Sequence, residues 1–158
     1  MTSFAPFFES EEALKYFHWN VGDPGLLEDY FKRQFERYEN RQSGMLGLRD
    51  RLNGAFVGVA GLLGQEAQGQ EVVEIGYSLL PAFWGQGYAT EAAKALKDQA
   101  FEVGLTDFLV SLVHRDNLPS RGVAERNGMW IWAEQDWKGF PVLVYRIDLQ
   151  EWNNSKSV

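Results

Sequence analysis

The segment Gly85-Gln86-Gly87 carries the residue types that point most directly to chemistry in this 158-residue sequence. Apolar residues recur at helical spacing from Gly87 to Gly104, so the segment lies at the start of a predicted helix. No Ser, Thr, Asp or Asn stands there to cap it, which leaves the first backbone N–H groups free. Glycine lets backbone approach a ligand closely, and the helix dipole favours an anion. The segment therefore predicts a phosphate-binding loop.

The same spacing is also open to a simpler interpretation, a tight strand-to-helix turn whose free donors bind water. Two better-known phosphate loops are excluded. Thr90 stands where the dinucleotide fingerprint needs Gly or Ala, and the Gly-Lys-Ser/Thr ending of a nucleotide triphosphatase loop is missing. The residues alone indicate an anion site and no particular anion.

The composition limits the class of protein. The chain is long enough for one core, so we expect a single domain over residues 1–158. A net charge of -7 argues against a nucleic-acid partner and suits a cationic amine substrate. Without cysteine there is no disulfide, thiolate nucleophile or cysteine-based zinc site, and no metal is expected. The N-terminus lacks a signal-peptide pattern and no apolar run could span a membrane, so we expect a cytoplasmic protein without a membrane partner.

Periodicity and turn residues predict the elements before the loop. Apolar residues at three- and four-residue steps between Pro24 and Asn40 predict an amphipathic helix. Three shorter segments follow, roughly Gly44–Arg51, Ala55–Gly64 and Glu71–Leu80. Turn residues such as Asn53-Gly54 separate them, which is typical of an antiparallel meander.

After the helix that ends at Gly104, Thr106–His114 is a compact, β-branched strand, placed as the second strand of a β-α-β unit would be. Asn117 is suited to cap a short helix with Pro119 in its first turn. Met129–Asp136 and Phe140–Leu149 then form a closing hairpin, and the polar tail at residues 153–158 is expected to be frayed. This order predicts a mixed sheet with helices, not a doubly wound array.

Three separated motifs make the sequence resemble the GNAT superfamily of N-acetyltransferases, in the branch of the ribosomal-protein N-terminal (alanine/serine) acetyltransferases. The motifs are Glu74-Ile75-Gly76-Tyr77-Ser78-Leu79 with Pro81, then Trp84-Gly85-Gln86-Gly87-Tyr88-Ala89-Thr90-Glu91-Ala92, and then Asn117-Leu118-Pro119-Ser120 with Glu125-Arg126-Asn127-Gly128-Met129. They lie in the superfamily's order over about Ala55 to Leu149. Trp84 replaces the more common Arg or Gln, a variant that is usual in this branch.

The resemblance implies a GNAT fold of the α/β (α+β) class, with a single mixed, mostly antiparallel sheet, splayed central parallel strands and helices on both faces. It also implies acetyl-CoA as cosubstrate. Its pantetheine arm would pair with the backbone of Leu79 and Leu80, its pyrophosphate would lie on the loop, and Asn117 would reach the arm from the other side. The implied cofactor-binding residues are Leu79, Leu80, Trp84, Gly85, Gln86, Gly87, Tyr88, Ala89, Thr90, Asn117 and Ser120.

Acetyl transfer to an amine needs a base, because a lysine-like amine has a pKa of about 10.4. The resemblance points to Glu74, whose alternative role is that of a solvent-facing strand residue, and His114 is a rival base. Ser120 is expected to protonate the leaving thiolate, unless it only bonds helix backbone. A backbone N–H near Tyr77 to Leu79 would stabilise the carbonyl oxygen.

The start of the chain departs from this branch, which begins with an Arg-Leu-x-Leu-Arg strand and a helix. Residues 1–19 contain no such strand and are too few for both elements. We expect this edge strand to be absent or divergent, or the start to be truncated. Six aromatic residues are candidates to line an acceptor pocket, with packing in the core or the hairpin as the alternative. They are Tyr16, Phe17, Trp19, Trp130, Trp132 and Trp137.

Three functions remain open at this level. The first is an acetyl-CoA-dependent N-acetyltransferase acting on a protein N-terminus or a small-molecule amine, as a monomer or homodimer. The second is an aminoglycoside or polyamine N-acetyltransferase. The third is a non-catalytic acyl-CoA-binding module.

Overall fold

Six strands form one sheet in the computed structural model, which describes residues 2–40 and 43–156. The strands are β1 (Ser43–Arg49), β2 (Phe56–Ala67), β3 (Gln70–Leu79), β4 (Phe108–His114), β5 (Trp130–Trp137) and β6 (Phe140–Asp148). Their order is β1-β2-β3-β4-β6-β5, and only the β3–β4 neighbours run parallel. The predicted mixed, mostly antiparallel sheet is confirmed.

The meander β1-β2-β3 follows the prediction, but β2 runs on to Ala67, beyond the predicted end at Gly64. The reason is the turn into β3. Gln68 and Gly69 both have positive φ angles, 51° and 73°, as a two-residue turn of type I′ requires. The strands therefore pair up to the turn, and the expected longer loop is absent.

The central strands diverge. β3 and β4 form their ladder at Glu74 and Val110, and no further pair is present between the described residues of these strands. Each strand stays paired on its other side, β3 with β2 as far as Leu79 and β4 with β6 as far as His114. The C-terminal halves of β3 and β4 thus open a V-shaped gap in the sheet, which confirms the predicted splay.

Helices cover both faces of the sheet. On one face α4 (Tyr88–Glu102), α5 (Leu118–Arg126) and α6 (Leu149–Lys156) enclose a core that includes Ile75 and Leu109. On the other face α1 (Ala5–Phe8), α2 (Glu11–Leu14) and α3 (Leu26–Glu39) enclose an N-terminal aromatic cluster, which consists of Phe4, Phe7, Phe8 and Tyr30. Gly104 lies in the left-handed conformation just after α4, as predicted for a C-cap glycine.

The prediction of a frayed tail was wrong for residues 153–156, which belong to α6; residues 157 and 158 lie outside the described residues. Trp152 explains the difference. Its side chain is only 7% exposed, its ring lies 5.4 Å from that of Phe101, and its Nε1 donates to Asp98 at 2.7 Å. Glu151 adds a cap by accepting the Asp148 N–H at 2.9 Å. One buried aromatic residue thus stabilises a helix whose other residues are mainly polar.

Among the described residues, only helical segments precede β1. Pro6 lies in the first turn of α1, and Ser10 caps α2 by accepting the Ala13 N–H at 3.2 Å. The apolar side chains of this region enter the aromatic cluster instead of a sheet. In the described residues, no helix is both long and apolar enough to cross a membrane.

Candidate functional site

A cavity of about 640 Å³ lies where β3 and β4 diverge. Its walls are the end of β3, the loop and first turn of α4, the first turns of α5 and, across the opening, residues of α1, α2 and the segment after α2. This volume is within the range of small-molecule sites, roughly 300 to 1,000 Å³. The cavity therefore joins the gap in the sheet to the start of α4, where the sequence predicts an anion site.

The start of α4 has the predicted free donors. Gly87 is its N-cap in the left-handed conformation, with no side-chain cap, and the Glu91 N–H makes the first helical hydrogen bond, 3.0 Å to the Gly87 carbonyl. The N–H groups of Tyr88, Ala89 and Thr90 consequently have no acceptor among the described residues. Gly85, Gly87 and these three residues all line the cavity. Free N–H groups and the helix dipole together form an anion site.

Arg126 adds a positive charge to this site. Its Nε donates to Thr90 Oγ1 at 3.2 Å, and its side chain lines the cavity while remaining exposed to solvent. A guanidinium group beside free helix donors is well suited to a phosphate. The residues at this end of the cavity fit a diphosphate group.

The edge of β3 that faces the gap presents backbone groups of Tyr77 and Leu79. The Leu80 N–H donates to the Val57 carbonyl at 3.0 Å, and ladder bonds alternate along an antiparallel pair. Even-numbered residues of β3 therefore bond to β2, whereas Tyr77 and Leu79 point towards the departing β4. The Leu79 carbonyl already accepts from Trp84 Nε1 at 2.9 Å, which leaves its N–H and both groups of Tyr77 directed into the gap.

This alternation revises the prediction for Leu80. Its N–H is paired with Val57, its carbonyl accepts the Phe83 N–H at 2.9 Å, and the residue does not line the cavity. Pairing with an extended ligand would instead use Tyr77 and Leu79. The sequence could not reveal this, because the alternation depends on the register with β2.

Glu74 lies at the apex of the gap, at the position where β3 still pairs with β4. Burial raises the pKa of its carboxyl group to about 7, although hydrogen bonds from the Gln65 side chain and the Leu112 N–H oppose the shift. Arg37 lies near enough to oppose it as well. A carboxyl group with this pKa can exchange protons near neutral pH.

Glu74 is not part of the cavity wall, which begins at Tyr77 on the same strand. Three residues of β-strand span about 10 Å. Proton exchange between this carboxyl group and the cavity would therefore need a chain of intervening water molecules.

Ser120 and Asn117 meet at the start of α5. Asn117 Oδ1 accepts the Ser120 N–H at 3.2 Å, which confirms the predicted cap. The Tyr77 hydroxyl donates to the Ser120 carbonyl at 2.9 Å, and burial raises the pKa of Tyr77. Both Ser120 and Asn117 line the cavity, and the Tyr77 contact fixes their distance from β3.

His114, the second candidate base, makes its contacts outside the cavity. Its Nδ1 accepts the Asp116 N–H at 3.1 Å, and its ring lies 4.9 Å from Tyr16 and 5.5 Å from Phe140. A neutral His114 in this arrangement carries its proton on Nε2 and has no free lone pair there. It is also not among the residues that line the cavity.

The cavity brings together most of the predicted residues. Those that line it are Leu79, Trp84, Gly85, Gly87, Tyr88, Ala89, Thr90, Asn117 and Ser120. Glu74, Leu80 and the Gln86 side chain, which bonds the Ala82 carbonyl at 3.0 Å, do not. The described residues contain no group of three or more His, Asp or Glu side chains that could hold a metal ion.

Sequence reasoning missed several lining residues: Phe7, Glu12, Lys15, Phe83 and Arg126. Arg126 lies within the recognised motifs, which was a signal that could have been used. The N-terminal lining residues carry no such signal in the sequence, because their side chains reach the cavity through tertiary packing.

Of the six aromatic candidates, Tyr16 and Phe17 line the cavity, and the Trp19 ring stacks on that of Phe17 with centroids 5.0 Å apart. Trp130, Trp132 and Trp137 lie on β5 and do not line the cavity.

Comparison with known proteins agrees with this geometry. The acetyltransferase (GNAT) domain family matches residues 2–130. YkkB, an uncharacterised protein of Bacillus subtilis, is 30% identical over 133 residues, which are 81% of this chain and 74% of that protein. An acetyltransferase structure from Agrobacterium tumefaciens has a TM-score of 0.75 at 28% identity, covering 92% of this chain and 83% of its own.

RimL, a ribosomal L7/L12 alpha-N-protein acetyltransferase whose structure contains coenzyme A, has a TM-score of 0.76. The match covers 95% of this chain and 88% of RimL at 18% identity. At this level of identity the likeness shows a shared fold.

Proposed function

Because this chain belongs to the GNAT acetyltransferase family, we propose that it transfers an acetyl group from acetyl-CoA directly to a primary amine, with the pyrophosphate on the first turn of α4. The observation that carries the proposal is the cavity that joins uncapped helix donors to the gap between β3 and β4. RimL, which shares the fold, binds coenzyme A. When bound, acetyl-CoA would supply a thioester whose acetyl carbon the amine can attack.

The chain's own residues would hold this cosubstrate in an extended form. Backbone N–H groups from Gly85 to Thr90 and the Arg126 guanidinium would bind the pyrophosphate, while the Tyr77 and Leu79 backbone would pair with the pantetheine amides. Asn117 would donate to the arm from α5 through Nδ2, since its Oδ1 caps the helix. The Tyr77 or Leu79 N–H would stabilise charge on the carbonyl oxygen.

Glu74 would accept the proton of the amine through water. Its pKa of about 7 leaves about half of the carboxyl groups ionised at neutral pH. This matches the task of a base that must also release its proton between turnovers. Ser120, on the cavity wall, would donate a proton to the leaving thiolate.

The acceptor would enter from the side of α2, where Glu12, Tyr16 and Phe17 line the cavity. The net negative charge of the chain favours a cationic amine, and at this opening Glu12 supplies a carboxylate beside one lysine, Lys15. A protein N-terminus or a small-molecule amine fits this description. An aminoglycoside or polyamine acceptor is the alternative that the same charge supports. A non-catalytic acyl-CoA-binding module is the other alternative, in which the cavity would bind the ligand and Glu74 would have no catalytic role.

The test is a thiol-release assay with acetyl-CoA and three classes of amine: peptides with free N-termini, a polyamine and an aminoglycoside. We expect thiol release with at least one class, matched by mass spectrometry of the singly acetylated amine. A peptide of the same sequence with a blocked N-terminus is the control. Acetyl-CoA binding without turnover on any amine would support the binding module, and absence of acetyl-CoA binding would refute the proposal.

A further inference from the structure

The Tyr88 side chain connects the first turn of α4 to a distant hairpin. Its hydroxyl donates to Asp50 Oδ2 in the connection between β1 and β2. Its ring packs edge-on against Phe83, with centroids 5.9 Å apart. Tyr88 is the first residue of α4, so both contacts act directly on the turn that carries the free N–H groups.

Asp50 is itself firmly held. Its Oδ1 accepts the N–H groups of Leu52 and Asn53 at 2.7 and 3.0 Å, and its backbone bonds Gly54 and Ala55 at 2.9 Å each. The carboxylate thus organises its own turn and offers its second oxygen to Tyr88. Asp50 does not line the cavity.

Two glycines give the backbone of this loop conformational freedom that contacts with the rest of the fold must restrict. Gly85 and Gly87 have φ angles of 71° and 89°, and no atom lies within 4 Å of a Cβ built on either. Glycine at such positions gains much backbone freedom when the fold does not restrain it. The bonds of Trp84 to Leu79 and of Gln86 to Ala82 are local and move with the loop.

Among the described residues, three hydrogen bonds join this region to distant segments: Tyr88 to Asp50, Arg126 to Thr90, and Asn127 Nδ2 to the Thr90 carbonyl at 3.3 Å. The Asn127 bond holds the last residue of the region, whereas the Tyr88 bond holds the first residue of α4, next to Gly87. The Arg126 bond connects two groups that line the cavity, so a bound phosphate would compete for the guanidinium. The Tyr88 bond ends on a carboxylate outside the cavity and can persist when a ligand is bound. It is charge-assisted, and it lowers the pKa of Asp50 and raises that of Tyr88.

We propose that Asp50 and Tyr88 are positioning residues that hold the first turn of α4 in its anion-binding conformation before acetyl-CoA arrives. The inference rests on the proposed function for its ligand. Its physical basis is preorganisation: a loop ordered in advance loses less entropy on binding. Asp50 should thus control cofactor affinity without contacting the cofactor.

The test uses Tyr88→Phe, which removes the hydrogen bond and keeps the ring. In the ligand-free protein, we expect faster amide hydrogen exchange at residues 85–90. Calorimetry should show an acetyl-CoA dissociation constant raised about tenfold, the loss expected for one charge-assisted bond. In turnover, the KM for acetyl-CoA should rise similarly while kcat falls less than twofold.

Asp50→Asn is the second variant and keeps an oxygen for the Leu52 and Asn53 N–H groups. It should weaken binding in the same direction, and the double variant should be no weaker than Tyr88→Phe alone. Two matched controls should leave loop exchange and affinity as they are. Tyr38→Phe removes a hydroxyl that bonds the Met45 carbonyl, and Asp136→Asn alters a hairpin carboxylate that accepts the Gly139 N–H at 2.8 Å.

Unaltered loop exchange and affinity in Tyr88→Phe would overturn the positioning role, as would effects of the two variants that add. Equal losses in the controls would also overturn it, since they would indicate general destabilisation. Failure of the unaltered protein to bind acetyl-CoA would refute the proposed function instead. In that case exchange at residues 85–90 still decides whether Tyr88 orders the loop.

Discussion

At the scale of single residues, the chemistry depends on a carboxyl group whose environment makes it a neutral-pH acid or base. Glu74 owes this to its place at the apex of the gap, where the sheet removes water but the Leu112 N–H still reaches the carboxylate. An exposed glutamate would remain ionised far below neutral pH and would be a weaker base.

Glu74→Gln tests this role. The base must be ionised, so activity of the unaltered protein should rise with pH through about 7, the pKa that burial gives Glu74. The variant should lose this step and lower kcat by roughly a hundredfold or more. The measurement is kcat from pH 5.5 to 9 at saturating acetyl-CoA.

Glu71→Gln is the matched control, because Glu71 lies on the same strand but is exposed. It should retain both the rate and the pH profile. A Glu74→Gln variant with a full rate and an unaltered profile would assign the base to another group.

The sequence predicted residues whose role follows from local chemistry and missed those whose role follows from register or packing. Asn117 was identified correctly because an N-cap needs only neighbouring residues. Leu80 was misplaced because ladder alternation is set by pairing with β2. Glu12 in α2 and Lys15 just after it reach the cavity from a segment far away in sequence from the loop, and nothing in their local pattern indicates this.

At the scale of elements, the start of α4 combines a conformational requirement with a binding one. Gly87 takes a left-handed conformation that places three free N–H groups on the cavity wall. The same helix ends next to Gly104, also left-handed with a φ of 66°, where no ligand is expected. The two glycines share a conformation and differ in function.

Gly87→Ala and Gly104→Ala therefore form a matched pair. A Cβ at either site meets no atom within 4 Å, so each variant suffers mainly from left-handed strain. We expect each to lower the free energy of unfolding by about 1 kcal/mol. Only Gly87→Ala should also weaken acetyl-CoA binding, by roughly tenfold, as measured by calorimetry. Equal affinities of the two variants for acetyl-CoA would show that the first turn of α4 is not part of the binding site.

Most elements were predictable because periodicity and turn residues are local signals. α3 (Leu26–Glu39) and the helix after Gly87 lie within two residues of their predicted bounds. The exceptions depend on tertiary contacts: α6 forms because Trp152 is buried against Phe101, a contact across the fold. The two-residue turn at Gln68 and Gly69 was hidden because a non-glycine residue takes a positive φ there.

At the scale of the whole molecule, the sheet separates two cores. The helices α4, α5 and α6 pack on one face, and the N-terminal aromatic cluster packs on the other. Tyr30 lies in that cluster, 5.3 Å from Phe8 and 5.6 Å from Phe4 between ring centroids. Its buried hydroxyl has no hydrogen-bond partner among the described residues, and burial raises its pKa.

Tyr30→Phe should consequently stabilise the protein, because it removes an unsatisfied buried polar group and keeps the ring. We expect the free energy of unfolding to rise by about 1 kcal/mol in a denaturant titration. Tyr38→Phe, which loses a hydroxyl bonded to the Met45 carbonyl, should lower it. A destabilised Tyr30→Phe variant would mean that the hydroxyl is hydrogen-bonded in solution.

We propose that acetyl-CoA lies in the gap between β3 and β4 with its pyrophosphate on the first turn of α4. The most direct measurement is a titration of the ¹⁵N-labelled protein with acetyl-CoA, followed by amide NMR. We expect the amide signals of Gly85, Gly87, Ala89 and Thr90 to show the largest saturable shifts, with those of Tyr77 and Leu79 next. Saturable binding whose shifts spare residues 85–90, or no binding at millimolar acetyl-CoA, would contradict it.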